Sequence, residues 1–427
     1  MSLSSPLLRR PMLAAGTAAL LVGLLAACSS SSSNSSNGGG GGGTPAASSQ
    51  PATSDPSAAT ATGSPIKIGV IATTTGPQAT GCNQGATVAP AWADWINKEK
   101  GGIGGHPVQV IVKNDDGNPT TAQSVAKELV GAGVAVVLVS CDNLLPAFEG
   151  TFLAAKIPLV SGPANNPDWY TKVGLYPLPT DLISGQGDQV AVAKTFAHAT
   201  KVADLYCSEV AACAQAAPLK AAAAKKLGLG FESMAVSSTA LNYTAQCLKL
   251  KQDKVDYAII SFVAPAGAKF IRDCQAQGYS PTFGTSSQSL GAKDLFDVKG
   301  ATLFGVAYGF PSNADAPVVQ SFRDAMGKYA RNGPWREGVG SMSWAGLEAI
   351  RAAASTISTS APVSAADITA GLNSFKDEDL GGLLANKVTF TAGEPLGLGK
   401  QPCYFALGVK DGKLIDPNGL APICPTN

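Results

Sequence analysis

The chain has 427 residues, too many for one compact core and enough for two domains that each bury their own. Its 31 basic and 30 acidic residues nearly cancel, so neither nucleic acid nor an anionic membrane surface is favoured as a partner. The composition favours a small molecule as the partner.

The first 27 residues have the pattern of an export signal. Arg9 and Arg10 supply positive charge, and residues 12–27 form an apolar run too short for a comfortable transmembrane span. The run ends in Leu-Ala-Ala before Cys28, which resembles the bacterial lipobox, where the signal is cut before an acylated cysteine. We therefore expect export and lipid anchoring through Cys28 on the outer face of the cell membrane, in the periplasm or at the cell surface. An ordinary signal peptide with an unrelated Cys28 is the alternative, and the arginine pair also fits a twin-arginine signal.

Residues 28–64 are predicted to be the lipidated cysteine and a disordered tether. Beyond Cys28 they are almost entirely Ser, Gly, Ala, Pro, Thr and Asn, which cannot bury enough apolar surface to offset the entropy of ordering. Such a Gly/Ser coil has an end-to-end distance of roughly 30 Å, so the folded body could stand away from the membrane.

Eight cysteines remain when Cys28 is assigned to the lipid, and in an exported protein an even number favours disulfides. Short separation suggests Cys207–Cys213 and Cys403–Cys424. Helices on either side of one predicted strand could bring Cys247 to Cys274. Cys82 and Cys141 remain, on loops at the same sheet edge, although eight cysteines allow 105 connectivities.

In chain order, short β-rich runs alternate with helical patterns, which predicts parallel sheets covered on both faces. The predicted strands are 66–71, 108–112, 134–139, 158–160, 202–206, 234–236, 257–262 and 303–308. The predicted helices are 84–98, one opening at Asn118-Pro119, 144–155, 189–199, 214–227, 244–251, 266–278, 318–329 and 343–357. The carboxyl-terminal part of the chain differs. Antiparallel strands are predicted there at residues 388–390, 404–409 and 414–415, and an Asp-Gly turn lies between the last two.

Signals for an enzyme are poor. The sequence has no GxSxG, HExxH or GxxxxGK[ST] motif, and no CxxC. His106 and His198 are the only histidines, and we interpret them as a surface turn residue and a helix cap. We therefore expect no enzymatic activity, no cofactor and no metal site.

Ligands of open α/β sheets bind beyond the carboxyl ends of strands, and the loops there are polar. In the first half they are 73–76, 140–143 and 161–166, and in the second 206–209, 261–264 and 285–288. Hydroxyls, amides and turn N–H groups suit an anionic or neutral polar ligand. Ser, Asn and Gly are also ordinary turn residues, and Phe262 fits a core position equally well. The candidate ligand contacts are Thr75, Ser140, Asp142, Ser161, Asn165, Tyr206, Phe262 and Ser287.

An ordered set of motifs resembles the Leu/Ile/Val-binding type of ABC transporter substrate-binding protein. The set is Ile68-Gly69-Val70 before Thr75-Gly76-Pro77, Trp95-Ile96-Asn97 before Gly101 to Gly105, Asn114 to Pro119, and Ile157 to Ser161. The resemblance covers about residues 65–415. It implies a type I periplasmic binding fold, that is, two doubly wound parallel-sheet lobes joined by a three-segment hinge. The expected lobes are 65–183 with 312–360, and 184–311 with 361–427.

The resemblance further implies a solute-binding lipoprotein that delivers its ligand to ABC permease subunits, with the lipid anchor as its only membrane contact. A ligand-sensing module of the same fold that reports to a membrane receptor is the alternative. In this family an acidic residue pairs with the ligand's ammonium group. The matching position in this chain lies near Ser287, where the acid is missing. A buried ammonium without a carboxylate partner costs several kcal/mol, which argues against an ordinary α-amino acid unless Glu209 or Asp142 replaces that acid. We expect a small ligand with a carboxylate or neutral polar head and an apolar or aromatic body.

Overall fold

The computed structural model describes residues 61–76, 78–209, 211–285, 287–290, 292–336 and 338–424, without the side chains of residues 182, 183, 211, 212, 287, 288 and 338. The predicted signal, Cys28 and nearly all of the predicted tether lie outside these ranges. The described chain is built from two sheets, each covered by helices.

The first sheet has five parallel strands in the order β2-β1-β3-β4-β5. Its strands and helices are, in chain order, β1 (Ile66–Ala72), α1 (Ala79–Cys82), α2 (Gln84–Glu99), β2 (Val108–Asn114), α3 (Pro119–Gly131), β3 (Val136–Val139), α4 (Leu145–Ala154), β4 (Leu159–Ser161), a 3-10 turn (Pro167–Tyr170) and β5 (Leu175–Tyr176). The predicted strand and helix alternation is confirmed here, and the helix across Pro90 begins at Gln84 as expected.

The second sheet has seven strands in the order β12-β11-β10-β9-β8-β6-β7. Its chain-ordered elements are α5 (Leu182–Ala197), β6 (Lys201–Cys207), α6 (Ala211–Leu227), β7 (Gly230–Val236), α7 (Thr244–Gln252), β8 (Tyr257–Ser261), α8 (Ala264–Ala276), β9 (Thr282–Gly284), α9 (Ser287–Leu290), α10 (Lys293–Phe296) and β10 (Thr302–Ala307). After β10 come α11 (Pro317–Tyr329), α12 (Gly338–Ala354), α13 (Ala365–Asn373), β11 (Phe405–Lys410) and β12 (Lys413–Ile415). The last two strands pair antiparallel, as predicted.

Three segments connect the two sheets. The chain leaves the first sheet after β5, returns from β10 to α11 and α12, which pack on α2, β3 and β4, and crosses again before β11. Trp95 of α2 lies 5.1 Å from Trp344 of α12, and Phe322 of α11 packs edge-on against the same Trp344 ring. Buried aromatic pairs of this kind anchor the returning helices to the first sheet. The predicted architecture of two doubly wound lobes with a three-segment hinge is confirmed.

The segment after α12 differs from the predicted lobe boundary at residue 361. Helix α13 packs against α12, Phe390 packs edge-on against Tyr176 at 5.0 Å, and Gly397 N–H donates to the Tyr170 carbonyl. Residues from α13 to about 397 therefore pack against the first lobe, because α12 and Tyr176 of β5 supply their packing partners. Residues 388–390 form no strand and make only one bridge, between Glu378 and Val388.

His106 is buried, which corrects its interpretation as a surface turn residue. Its ring nitrogens lie 2.7 Å from the Ser64 carbonyl oxygen and 3.1 Å from that of Ser358. The ring thus joins the start of the folded body to the turn after α12. His198 has φ 51° and forms the carboxyl-terminal cap of α5, as expected.

Candidate ligand-binding site

Three polar loops of the first lobe leave the same edge of its sheet. The strand register pairs Ile71 with Val139 and Val139 with Ser161, so the ends of β1, β3 and β4 lie side by side. The loops that follow these strands carry the predicted contacts of this lobe. Their convergence at one edge is therefore confirmed, although which side chains contact a ligand stays a prediction.

Ser140 and Ser161 are fully buried and hydrogen-bonded within their own lobe. The Ser140 hydroxyl accepts from the Gly85 N–H at 3.1 Å, and a β-carbon at Gly85 would lie 2.1 Å from that oxygen. The Ser161 hydroxyl accepts from the Leu178 N–H at 3.0 Å. These hydroxyls position the start of α2 and the first crossing segment relative to the strand ends.

Asp142 joins two of the loops through its carboxylate. It accepts from the N–H groups of Asn165 (2.5 Å) and Asn166 (2.9 Å), from the Asn165 side-chain amide (3.3 Å) and from the Trp169 indole N–H (3.1 Å). The side chain is almost fully buried, and this desolvation raises its pKa, although the four donors oppose the shift. The carboxylate thus accepts four hydrogen bonds from its own lobe, three of them at Oδ2.

Thr75 lies in the most exposed of these loops. Its hydroxyl donates to Asp116 at 2.6 Å and accepts from the Asn114 side-chain amide at 3.0 Å. Deeper in the same loop, the Thr73 hydroxyl donates to the buried Asp115 at 2.6 Å. These bonds hold the loop after β1 against the turn after β2, and the Thr75 side chain stays at the surface of the edge.

Sequence analysis missed Asn83, which precedes α2 at this edge. Its side-chain oxygen is buried and has no hydrogen-bond partner among the described residues. An unpaired buried acceptor is costly in a folded protein, so it is a candidate partner for a ligand donor. The sequence feature that could have identified Asn83 is its position in the polar run between β1 and α2.

The second lobe presents fewer predicted side chains than the first. Tyr206, the penultimate residue of β6, is half-buried, and the register places it beside Ser261 at the end of β8. Phe262 is largely buried, stacked at 5.9 Å on Tyr243 and edge-on at 6.2 Å to Phe270, which is a core arrangement. Ser287 begins α9, but its side chain lies outside the described residues.

Glu209 is exposed in the loop after β6. Its carboxylate accepts from the Ser237 hydroxyl at 2.6 Å and from the Ser238 N–H at 2.9 Å. The bond from Ser237 is the main cause of its lowered pKa.

A buried charged cluster lies behind the strand ends of this lobe. The Lys220 ammonium of α6 donates to Asp204 of β6 at 2.7 Å and to the Ser261 hydroxyl at 2.6 Å, and that hydroxyl donates to Asp204 at 2.8 Å. Lys220 and Asp204 are almost completely buried. Burial lowers the pKa of Lys220, and the charge of Asp204 opposes that shift. The polar Asp204 inside an otherwise apolar strand was the sequence signal for this cluster.

Four disulfides join the eight cysteines in the predicted pairs. They are Cys82–Cys141, Cys207–Cys213, Cys247–Cys274 and Cys403–Cys424. The first ties α1 to the loop after β3, and the second ties the end of β6 to α6. One disulfide therefore restrains the edge of each lobe. No group of three or more potential metal-ligating side chains occurs within the described residues.

The hinge segments are hydrogen-bonded to one another. The Thr180 hydroxyl donates to the Cys403 carbonyl at 2.6 Å, and the Gln401 amide donates to the carbonyls of Pro177 and Leu178. Asp188 of α5, the helix that follows the first of these segments, is buried, with one carboxyl oxygen unpartnered among the described residues. This desolvation, with the nearby charge of Asp181, raises the pKa of Asp188 to about 8.

The sequence pattern of the periplasmic binding protein family matches residues 65–413. The chain belongs to this family. The match spans both sheets up to the start of β12 and all three hinge segments, so it covers nearly all of the folded body. Members of the family are binding proteins, which agrees with the expected lack of enzymatic activity.

Solved structures of similar fold match this chain over nearly their whole length. A leucine-binding protein from Thermotoga maritima has 15% identity and a TM-score of 0.65, over 84% of this chain and 99% of that one. A branched-chain amino acid ABC transporter protein from Thermus thermophilus with bound valine has 19% identity and a TM-score of 0.68, over 84% and 97%. A fatty acid ABC transporter substrate-binding protein from Thermomonospora curvata has 16% identity and a TM-score of 0.65, over 85% and 94%. No curated protein matches the sequence.

At these identities the structural likeness shows the two-lobed fold and leaves the ligand open. The described part of the chain contains no helix long and apolar enough to cross a membrane.

Proposed function

We propose that this periplasmic binding protein is the solute-binding component of an ABC-type importer and captures a small metabolite between its lobes. The observation that carries the proposal is the convergence of the loops after β1, β3 and β4 at one edge. In a doubly wound sheet this edge is where ligands bind. The similar solved structures are a leucine-binding protein, a transporter protein with bound valine and a fatty acid transporter substrate-binding protein, which supports a small solute and a transport role.

The first lobe suits a carboxylate or a neutral polar head group. Helix α4 begins directly after the Asp142 loop, but its first turn is already satisfied: Leu145 N–H donates to the Asp142 carbonyl, and Ala147 N–H donates to the Leu144 carbonyl. The hydroxyls and amides of the three loops are therefore the groups that suit such a head. Asp142, the acid of the loop before α4, is buried and already accepts four hydrogen bonds within its own lobe. A cationic head would have to compete with these donors for the Asp142 carboxylate, which favours a carboxylate or neutral polar head.

The proposed ligand contacts of the first lobe are Thr75 and Asn165, and Tyr206 is the proposed contact of the second; their side chains are exposed or half-buried at the lobe edges. We propose the same role for Ser287 from its position at the start of α9. For Ser140, Asp142, Ser161 and Phe262, whose side chains have partners in their own lobe, we propose that they hold the contacting loops in place. The apolar or aromatic body of the ligand would then contact the Tyr206 side of the second lobe.

Export and anchoring complete the proposal. Cys28 would carry a lipid that holds the protein at the outer face of the cell membrane, and permease subunits would receive the ligand there. The support is the Leu-Ala-Ala-Cys sequence at the end of an apolar run, followed by a tract without large apolar side chains.

A thermal-shift screen of small metabolites, followed by calorimetry, tests the ligand class. We expect stabilisation by carboxylic acids, amides or related metabolites with an apolar body, and weak or no binding of leucine, isoleucine and valine. Micromolar or tighter binding of leucine that is abolished by Glu209→Gln and retained by Glu394→Gln, a change at another exposed acid, would contradict this ligand class.

A further inference from the structure

The hydroxyl of Ser261 both accepts a hydrogen bond from Lys220 and donates one to Asp204. Lys220 can only donate, so its 2.6 Å contact uses a lone pair of the Ser261 oxygen. The Asp204 carboxylate accepts, so the 2.8 Å contact uses the only hydroxyl proton of Ser261. A serine hydroxyl has one proton and two lone pairs, so one lone pair is left.

The remaining lone pair can only accept a hydrogen bond. Rotation of the hydroxyl to donate elsewhere would break its bond to Asp204, whose other carboxyl oxygen is already buried and unpartnered among the described residues. Such a loss leaves a buried carboxylate under-satisfied and is strongly disfavoured. Lys220 and Asp204 thus act as positioning residues that fix Ser261 as an acceptor.

Ser261 is placed where a ligand can reach it. It is the last residue of β8 at the carboxyl edge of the second sheet, it is partly exposed, and it lies beside the half-buried Tyr206. Of the two residues that follow it, Phe262 is core and Val263 is 57% exposed. The chain therefore reaches solvent two residues beyond this partly exposed serine.

We propose that Ser261 is a specificity-determining residue that accepts a hydrogen bond from a neutral O–H or N–H donor on the ligand. This inference rests on the proposed cleft and narrows its ligand class. Lys220 and Asp204 cancel in charge, so the site has no net negative charge to stabilise an ammonium group. The preferred ligand is then an acid that carries a hydroxyl or amide donor, and an unsubstituted acid or an α-amino acid binds less well.

Three ligands with one carbon skeleton test the inference: 2-hydroxy-4-methylpentanoate, 4-methylpentanoate and leucine. Calorimetry of the exported chain should give the hydroxy acid the lowest Kd, by about three- to tenfold over 4-methylpentanoate, the value of one neutral hydrogen bond. Ser261→Ala should abolish this preference and leave the Kd of 4-methylpentanoate nearly unchanged. Ser233→Ala, an exposed serine of β7, is the matched control and should keep the preference.

A second variant separates positioning from folding. Asp204→Asn with Lys220→Met removes both charges together and frees the Ser261 hydroxyl to rotate, so the preference for the hydroxy acid should shrink while binding of 4-methylpentanoate persists. If the hydroxy acid and 4-methylpentanoate bind with equal Kd values, both to wild type and to Ser261→Ala, this inference is overturned and the proposed function stays intact. If none of the three ligands binds, this inference fails, and the thermal-shift screen decides separately whether the proposed ligand class stands.

Discussion

The indole N–H of Trp169 donates a 3.1 Å hydrogen bond to the carboxylate of Asp142, which joins the loop after β4 to the loop after β3. Both side chains are almost fully buried. Two loops that form the edge of the first lobe are thus held together by one carboxylate.

Asp142→Asn should therefore destabilise the first lobe and weaken ligand binding. The amide keeps one acceptor but places its own N–H₂ group against donors, so buried groups lose partners at a cost of about 1–3 kcal/mol. Denaturant unfolding measures the loss in stability, and calorimetry measures binding. Asp94→Asn, at an exposed acid of α2, is the control and should change neither. Unchanged stability and affinity in Asp142→Asn would contradict the role assigned to this carboxylate.

Asp188 should make stability depend on pH. Its folded pKa of about 8 lies above the unfolded value of about 3.9, so the folded state binds more protons. Its contribution to stability is fully present below about pH 4 and is lost as the pH rises to about 8, with an upper limit on the order of 5 kcal/mol.

Asp188→Asn should remove this decline, so the variant should gain stability relative to wild type as the pH rises from 4 to 8. Denaturant unfolding across that range tests it, with Asp315→Asn, at an exposed acid, as the control. A stability difference that does not change with pH would show that Asp188 is not the titrating group.

The two cleft-edge disulfides should differ in their contribution to stability. Cys82–Cys141 closes 59 residues and Cys207–Cys213 closes 6, so loop entropy predicts about 4 and about 2 kcal/mol respectively. Replacing each pair by serines and measuring unfolding should show this order, after non-reducing peptide mapping has verified all four pairs. An equal or reversed order would mean that strain or residual structure outweighs chain entropy.

The fold was predicted well from the sequence where apolar runs were long and capping or turn residues marked their ends. Helix α3 begins where Asn118 and Pro119 indicated, and the Asn118 side chain accepts from the N–H groups of Thr120 and Thr121. Short elements were missed, such as β9 with three residues. Helix α13 was missed although Ser364 and Asp367 form a capping box at its start.

The site was harder to predict than the fold. Strand ends indicate which loops converge, but they do not tell whether a polar side chain points outward or bonds within its lobe. Ser161 ends strand β4 and Asp142 follows β3, yet the partners of these polar side chains are N–H groups far along the chain or in the next loop. Burial of that kind depends on tertiary packing and is not visible in a local pattern.

Membrane anchoring through Cys28 is testable without knowledge of the ligand. Cys28→Ser, produced in a host that processes lipoproteins, should move from the membrane fraction to the soluble fraction, because the acyl chain is the proposed anchor. Equal recovery of both forms in the membrane pellet would refute the lipobox interpretation.

The central claim is that one ligand is held by both lobes at once, since closure requires that the ligand contact the closed state better than the open one. Calorimetry of a ligand from the thermal-shift screen against wild type, Thr75→Ala and Tyr206→Ala tests this most directly. The account predicts that the first-lobe and the second-lobe substitution each raise the Kd several-fold, with only small shifts of the unfolding curves. Loss of affinity confined to one lobe, whichever lobe that is, would contradict binding between the two.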